Sequence, residues 1–259
     1  MLERFSKSYR IINKEKFVEK LINFSVDQDY FILLNSNNKS DKFDLLCGYG
    51  VKSFIKSSEN SLTKLDNFFE LKKDWLFGYM TYDLRNEIEV LNDDNIDFIN
   101  MPNLYFFQPE IVWFVKGKIV TGLSFEKDLI DNDWKKFNEI SKKEKTKNSS
   151  IVKLNLRNSK SEYINKVNKI KERIFRGDCY EMNFCFDLFS EYDEINPYDT
   201  YVKLNNYTKS PMSSFLKAND LFLISSSPER FLSKNGEDII SQPINCLLYT
   251  SPSPRDSCA

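Results

Sequence analysis

The chain contains no histidine. Imidazole acid–base chemistry, Ser-His-Asp and Cys-His nucleophilic schemes and zincin sites are therefore excluded from it. Proton transfer, if it occurs, must fall to Asp, Glu, Lys, Tyr or Cys. The sharpest candidate is Glu229, in the run Ser225-Ser226-Ser227-Pro228-Glu229-Arg230-Phe231. Pro228 restricts Ser227 to extended backbone, so Glu229 is displayed between two expected strands. Taken alone, a glutamate beside an arginine is more often a surface ion pair than a catalytic group. Cys47, Cys179 and Cys185 are scattered, with no disulfide framework and no zinc spacing. Buried, reduced thiols are the expectation for them. Gly48-Tyr49-Gly50 lacks the rest of a dinucleotide fingerprint, and no other Gly-rich phosphate loop is present.

The elements that must position Glu229 follow from periodicity and turn chemistry. Helices are expected over Lys14–Phe24, where Phe17, Leu21 and Ile22 share a face, and over Leu62–Leu71. Strands are expected at Tyr30–Leu34, Leu45–Cys47, Val51–Ile55, Trp75–Tyr82 and Trp113–Val120, the last with Lys116-Gly117-Lys118 as a turn. Trp134–Ser150 is polar and reads as a linker or long solvated loop, with a solvated helix face as the alternative, which puts a domain boundary near 150. Beyond it, Ser159-Lys160-Ser161-Glu162 is a capping box. The helix it opens carries Tyr163, Val167, Ile170 and Ile174 as a stripe and ends at Gly177. A strand over Cys179–Phe189 and a helix begun by Asn196-Pro197 follow. The expected strands Leu221–Ser226, Phe231–Ser233 and Asp238–Ile244 come last, the final two joined by a tight turn at Lys234-Asn235-Gly236-Glu237. Helices and strands do not alternate strictly and hairpins are frequent, which predicts an α+β fold.

Composition narrows the class further. Apolar residues make up 41% and aromatic residues 15% of the 259, enough for a sizeable core. Net charge is −1 with the signs intermixed, so neither nucleic acid nor a membrane is an expected partner. Apolar runs such as Trp75–Met80 are far too short to span a bilayer. Met1–Lys7 has no apolar signal region, and a cytoplasmic location is the expectation.

Four stretches, in order, resemble the boxes of the chorismate-utilising enzymes. They are Trp75–Asp83 (Trp-Leu-Phe-Gly-Tyr-Met-Thr-Tyr-Asp), Ile174–Phe184, Tyr207–Phe215 and Ser227–Phe231. After the last box comes Gln242-Pro243-Ile244-Asn245, where the family has Pro-Ile-Lys-Gly-Thr. Asn245 stands 16 positions after Glu229 (245 − 229), the spacing of the family lysine. Within the family the nearest branch is aminodeoxychorismate synthase component I, for which Asn183 is a branch marker. On the residues alone, Asn183 is equally well a polar residue on an outer strand face.

The resemblance implies a layered α/β sandwich of mostly antiparallel sheets, like anthranilate synthase component I, here truncated. Residues 1–150 would be the N-terminal region with its linker, and 151–245 the first part of the chorismate-binding domain. It also implies a reaction: chorismate is aminated to 4-amino-4-deoxychorismate, toward p-aminobenzoate and folate. Ammonia would come from a glutamine amidotransferase subunit. A lysine at position 245 would attack the ring and Glu229 would protonate the departing hydroxyl, a poor leaving group without that proton. Mg²⁺ would neutralise substrate carboxylate, its ligands lying beyond this sequence. In feedback-inhibited relatives the Tyr207–Phe215 stretch lines an amino-acid pocket with a box that Leu33-Leu34-Asn35-Ser36 approximates. The departures here, the missing first proline among them, weigh against amino-acid regulation. Two alternatives stand beside this reading: anthranilate synthase component I, and a short non-catalytic protein that binds the glutaminase subunit.

Residues 246–259 differ in kind. Cys246–Asp256 can be back-translated to the adapter of a transposase-based sequencing library, read in frame, so this tail is expected to be non-native. With the junction placed there, codon 245 began AA and encoded Asn or Lys, whereas the Ala of anthranilate synthases would begin GC. Without the lysine, this chain is expected to be inactive, and to be poorly soluble through an exposed apolar edge at Asp238–Ile244. A genomic read across codon 245 is expected to return Lys-Gly-Thr. Ala-Gly-Thr would instead identify the anthranilate branch, and an intact Cys246–Ala259 followed by a stop would remove the adapter reading.

Overall fold

The computed structural model describes residues 3–40, 42–89, 91, 96–140, 152–191 and 195–242. These fall into two units, one from Met1–Glu144 with Pro197–Ala259 and one from Lys145–Asn196. In the first unit the chain begins with β1 (Phe5–Arg10), α1 (Lys14–Phe24), β2 (Tyr30–Asn35), β3 (Leu45–Tyr49) and β4 (Ser53–Ser57). Next come α2 (Ser61–Lys72), β5 (Phe77–Met80), β6 (Leu104–Gln108), β7 (Ile111–Lys116), β8 (Ile119–Ser124) and α3 (Lys127–Glu139). The second unit holds β9 (Asn155–Leu156), α4 (Lys160–Phe175) and β10 (Leu188–Phe189). The chain then returns to the first unit with α5 (Pro197–Thr208), β11 (Met212–Ala218), β12 (Leu221–Ser227), β13 (Arg230–Asn235) and β14 (Asp238–Gln242). The expected boundary near 150 lies outside the described residues; residues 197–242 belong to the first unit.

A seven-stranded antiparallel sheet, in the order β1-β8-β7-β3-β2-β11-β12, forms the middle layer of the first unit. Because side chains alternate along a strand, its two faces bury different partners. Phe31, Leu33, Cys47, Trp113 and Phe215 pack with Phe17 and Leu21 of α1, Ile130 and Phe137 of α3 and Tyr201 of α5. On the other face, Ile32, Val112 and Leu216 meet Phe77, Tyr79, Tyr105 and Phe107 of the three-stranded sheet β4-β6-β5. The architecture is thus α+β: helices, a large sheet and a small sheet in layers.

Gly48 sets the approach of the two sheets. A Cβ there would lie 2.6 Å from the Phe77 ring, so the aromatic layer sits where only glycine leaves room. A polar chain crosses the helix-side core: the Trp113 indole donates to the Tyr49 hydroxyl (3.0 Å), which donates to Asp133 of α3 (2.6 Å). Asp133 also accepts from Lys136 (2.9 Å). Burial, with the Asp133 charge next in weight, pushes the Tyr49 phenol up.

Several expected elements differ in extent. Trp113–Val120, expected as a strand with a turn at Lys116-Gly117-Lys118, is the hairpin β7–β8, and its turn is at Gly117 with φ +59°. Trp134–Glu139 is not linker but the end of α3: Ile130, Trp134 and Phe137 form a helical stripe that a window opening at Trp134 cuts in two. Residues 141–150 lie outside the described residues. Cys179–Phe189 forms a strand only at Leu188–Phe189, because its short partner β9 pairs nothing more of it. The capping box of α4 is present as expected, with Ser159 and Glu162 bonding reciprocally, and Gly177 takes φ +81°. None of the α4 side chains is fully buried. Among the described residues no helix is long and apolar enough to cross a membrane.

One ion pair ties the sheets at their common end. Arg4 donates through Nε and Nη2 to Asp74 (2.9 and 2.7 Å), and to the carbonyls of Glu110 (3.0 Å) and Pro109 (2.6 Å). Its side chain is 6% exposed and that of Asp74 14%. Burial acts to raise the Asp74 carboxyl, but the bonds from Arg4, Gln108 and the Trp75 N–H, with the Arg4 charge, outweigh it and hold it below the usual carboxylate range. A carboxyl lowered by folding adds stability above its unfolded pKa, and that stability is lost as pH falls through the lower folded value. Asp74→Asn is expected to cost about 3 kcal/mol at neutral pH by leaving a buried arginine charge without its partner. Urea midpoints across pH 2–7 check this: the variant's loss should shrink toward the acid end.

Candidate functional site

The position of Glu229 is built from the sheet outward. β2 is flanked by β3 and β11, and β12 continues the sheet along seven residue pairs from Ala218↔Leu221 to Met212↔Ser227. Chain and sheet part at Ser227. Pro228 and Glu229 then form the two-residue connection to β13. Within it, the Glu229 N–H donates to the Ser227 hydroxyl (3.1 Å), which donates to the Glu229 carbonyl (3.2 Å). The glutamate backbone is thereby fixed by a local side chain, while the residue itself is exposed. β13 and β14 pair as a hairpin with a break in register between Arg230 and Ser233, and Gly236 turns it at φ +63°. The Ser241 hydroxyl donates to the Phe231 carbonyl (2.9 Å) and secures the hairpin just beyond Glu229.

The structure brings together two stretches that are far apart in sequence. Leu33, Leu34 and Asn35 of β2 pair with Phe215, Ser214 and Ser213 of β11. Side chains reinforce the junction: Asn37 Nδ2 donates to Asn205 Oδ1 (2.8 Å) and to the Ser210 carbonyl (2.7 Å), and Lys39 donates to the Lys209 carbonyl (2.8 Å). Asn37 and Asn205 were not singled out in the sequence. The available signal was Asn37-Asn38, both of which adopt positive φ (49° and 65°), a conformation that asparagine tolerates.

Asn183 lies in irregular, exposed backbone of the second unit rather than on a strand. Glu229 belongs to the first unit, so the two sit in separately described bodies. Asn245 lies outside the described residues. Among the described residues no group of three or more His, Cys, Asp or Glu side chains converges as a metal site. None of them is therefore assigned to Mg²⁺.

A family model described as chorismate binding enzyme matches residues 26–245. Aminodeoxychorismate synthase component 1 of Salmonella typhimurium is 24% identical over 180 residues, covering 69% of this chain and 39% of that protein. Anthranilate synthase component 1 of Lactococcus lactis is 25% identical over 181 residues, covering 64% of this chain and 39% of that protein. The chain thus spans well under half the length of these relatives. A crystal structure of anthranilate synthase component I from Streptococcus pneumoniae superposes with a TM-score of 0.62 at 18% identity, covering 81% of this chain and 53% of that one. That likeness establishes the layered sandwich as the shared fold.

Proposed function

The chain belongs to the chorismate binding enzyme family, and from that premise we propose that the whole protein aminates chorismate to 4-amino-4-deoxychorismate. The observation that carries this reading is Glu229, held by Ser227 in a two-residue turn at the end of β12 and standing 16 positions before residue 245 (245 − 229). In the proposed reaction Glu229 is the general acid. An amine nucleophile at position 245 forms a bond to the substrate ring as the C4–O bond breaks, and the Glu229 proton leaves with the hydroxyl as water. Ammonia then displaces the enzyme amine and restores it. The exposure of Glu229 suits a group that must take a new proton from solvent after each cycle. A separate glutaminase subunit is the proposed ammonia source. Asn245 in this chain has no amine to attack with, so the chain as given is proposed to be inactive.

Similarity to anthranilate synthase component 1 at 25% identity supports a second reading. There the same glutamate acts on the same leaving group, and the product is anthranilate. Supplying chorismate, ammonium and Mg²⁺ to the protein that carries lysine at position 245 separates the two by product mass and fluorescence. The expected product is 4-amino-4-deoxychorismate, and anthranilate alone would overturn the first reading. Glu229→Gln is expected to lower kcat by about 10²- to 10⁴-fold with little change in KM, the effect of losing a general acid. Unchanged kcat in that variant would remove Glu229 from the mechanism.

A further inference from the structure

On the face of the large sheet away from the small one, α1 and α5 lie side by side over the core. A cavity of about 530 Å³ opens between them, within the size range of small-molecule sites. Glu15, Val18 and Glu19 form its α1 wall, and Val202, Asn206 and Lys209 its α5 wall. Each set recurs at helical spacing and so makes one stripe of its helix. The groove is on the helix side of β2, and no residue of β11 lines it.

The two walls differ in chemistry. Glu15 and Glu19 are exposed, and a carboxylate only accepts hydrogen bonds. Across the groove, Asn206 Oδ1 accepts from Lys209 (3.3 Å), which leaves the Asn206 Nδ2 and the rest of the Lys209 ammonium as donors. Lys14 also lines the cavity, but its ammonium is held by Asp44 and Asn38. The floor is neutral and buried: Tyr201 is 1% exposed and Asn205 6%. The Tyr201 oxygen accepts from Ser213 (3.5 Å) and from Asn35, so the phenol still has its own proton to donate. Asn205 forms a reciprocal amide pair with Asn37 (2.8 and 3.4 Å), two of the four bonds that a carboxamide can make.

A charged ligand of either sign meets its own sign on one wall, and its charge finds no counter-ion on the buried floor. An apolar ligand would leave the floor and both walls unsatisfied. A hydroxyl both donates and accepts. Neighbouring hydroxyls on one ring can therefore donate to Glu15 and Glu19 while they accept from Asn206, Lys209 and Tyr201. The C–H faces of such a ring suit Val18 and Val202.

We propose that the α1–α5 groove binds a neutral monosaccharide, its hydroxyls shared between the carboxylates of α1 and the donors of α5 and its ring between Val18 and Val202. The inference does not depend on the reaction proposed above, because binding alone reads it out.

The test is calorimetric titration of the full chain with D-glucose and D-galactose, each beside its 2-amino and its uronate form, and with cyclohexanol. The tighter of the two neutral sugars is expected to bind at least tenfold more tightly than its amino and uronate forms, with cyclohexanol not binding. Tyr201→Phe, which keeps the ring in the core, should weaken that sugar at least tenfold. Glu19→Gln, on the exposed side of α1 where folding is not at risk, should weaken it severalfold. The proposal is overturned if neither neutral sugar binds, or if a charged form or cyclohexanol binds as tightly. It is equally overturned if neither substitution changes the affinity.

Discussion

The structure depends on β2 having a neighbour on each side. Phe31, Ile32 and Leu33 are buried on both faces of the sheet, so their backbone N–H and C=O groups cannot turn to water and must be paired within the sheet. β3 supplies one side from the next hairpin. The other is supplied by β11, some 180 residues further along. This long-range pairing obliges the chain to return to the first unit after residue 196. Once β11 is in place, β12 follows it as the next antiparallel strand and carries Ser227, Pro228 and Glu229 to the sheet's end.

The two sides of the sheet are secured by different physics. Helix packing on one side is the ordinary burial of amphipathic faces. On the other, an aromatic layer lies directly on glycine backbone at Gly48, and charged groups fasten the margins of both sides. Asp44 accepts from Lys14 and from the Gly117 N–H, joining α1 to the β7–β8 turn. Glu87 accepts from the Ser61 backbone N–H (2.7 Å) and hydroxyl (2.7 Å) and from Asn103 (2.9 Å). It thereby caps α2 from a distance, because Asn60, in left-handed backbone, makes no capping bond of its own. In each case burial acts to raise the carboxyl and the hydrogen bonds that it accepts outweigh it, so folding lowers both. Each bond spans segments distant in sequence, so these carboxylates stabilise the arrangement of layers rather than any single element.

Glu229 stands apart from that group. It lies on the surface, in a connection fixed by Ser227, and no strand or helix packs its fate into the core.

Local elements were legible in the sequence because local physics makes them. The stripe of α1, the capping box and glycine stop of α4, the proline start of α5 and the Gly236 turn all appear where spacing and cap residues put them. The ordered boxes also identified the family, since chemistry at a fixed spacing survives where overall identity does not. Other features were illegible for physical reasons. β1, Phe-Ser-Lys-Ser-Tyr-Arg, has too few apolar residues to signal a strand and becomes one by pairing with β8 at the sheet edge. The end of α3 looked like linker until the core claimed Phe137. The meeting of Leu33–Ser36 with Ser210–Phe215 and the Arg4–Asp74 tie depend on contacts between residues far apart in the chain. A sequence fixes which groups are present and how its near neighbours bond. Only closing the sheet around β2 determines which distant groups meet, because burying its backbone leaves no other way to satisfy it.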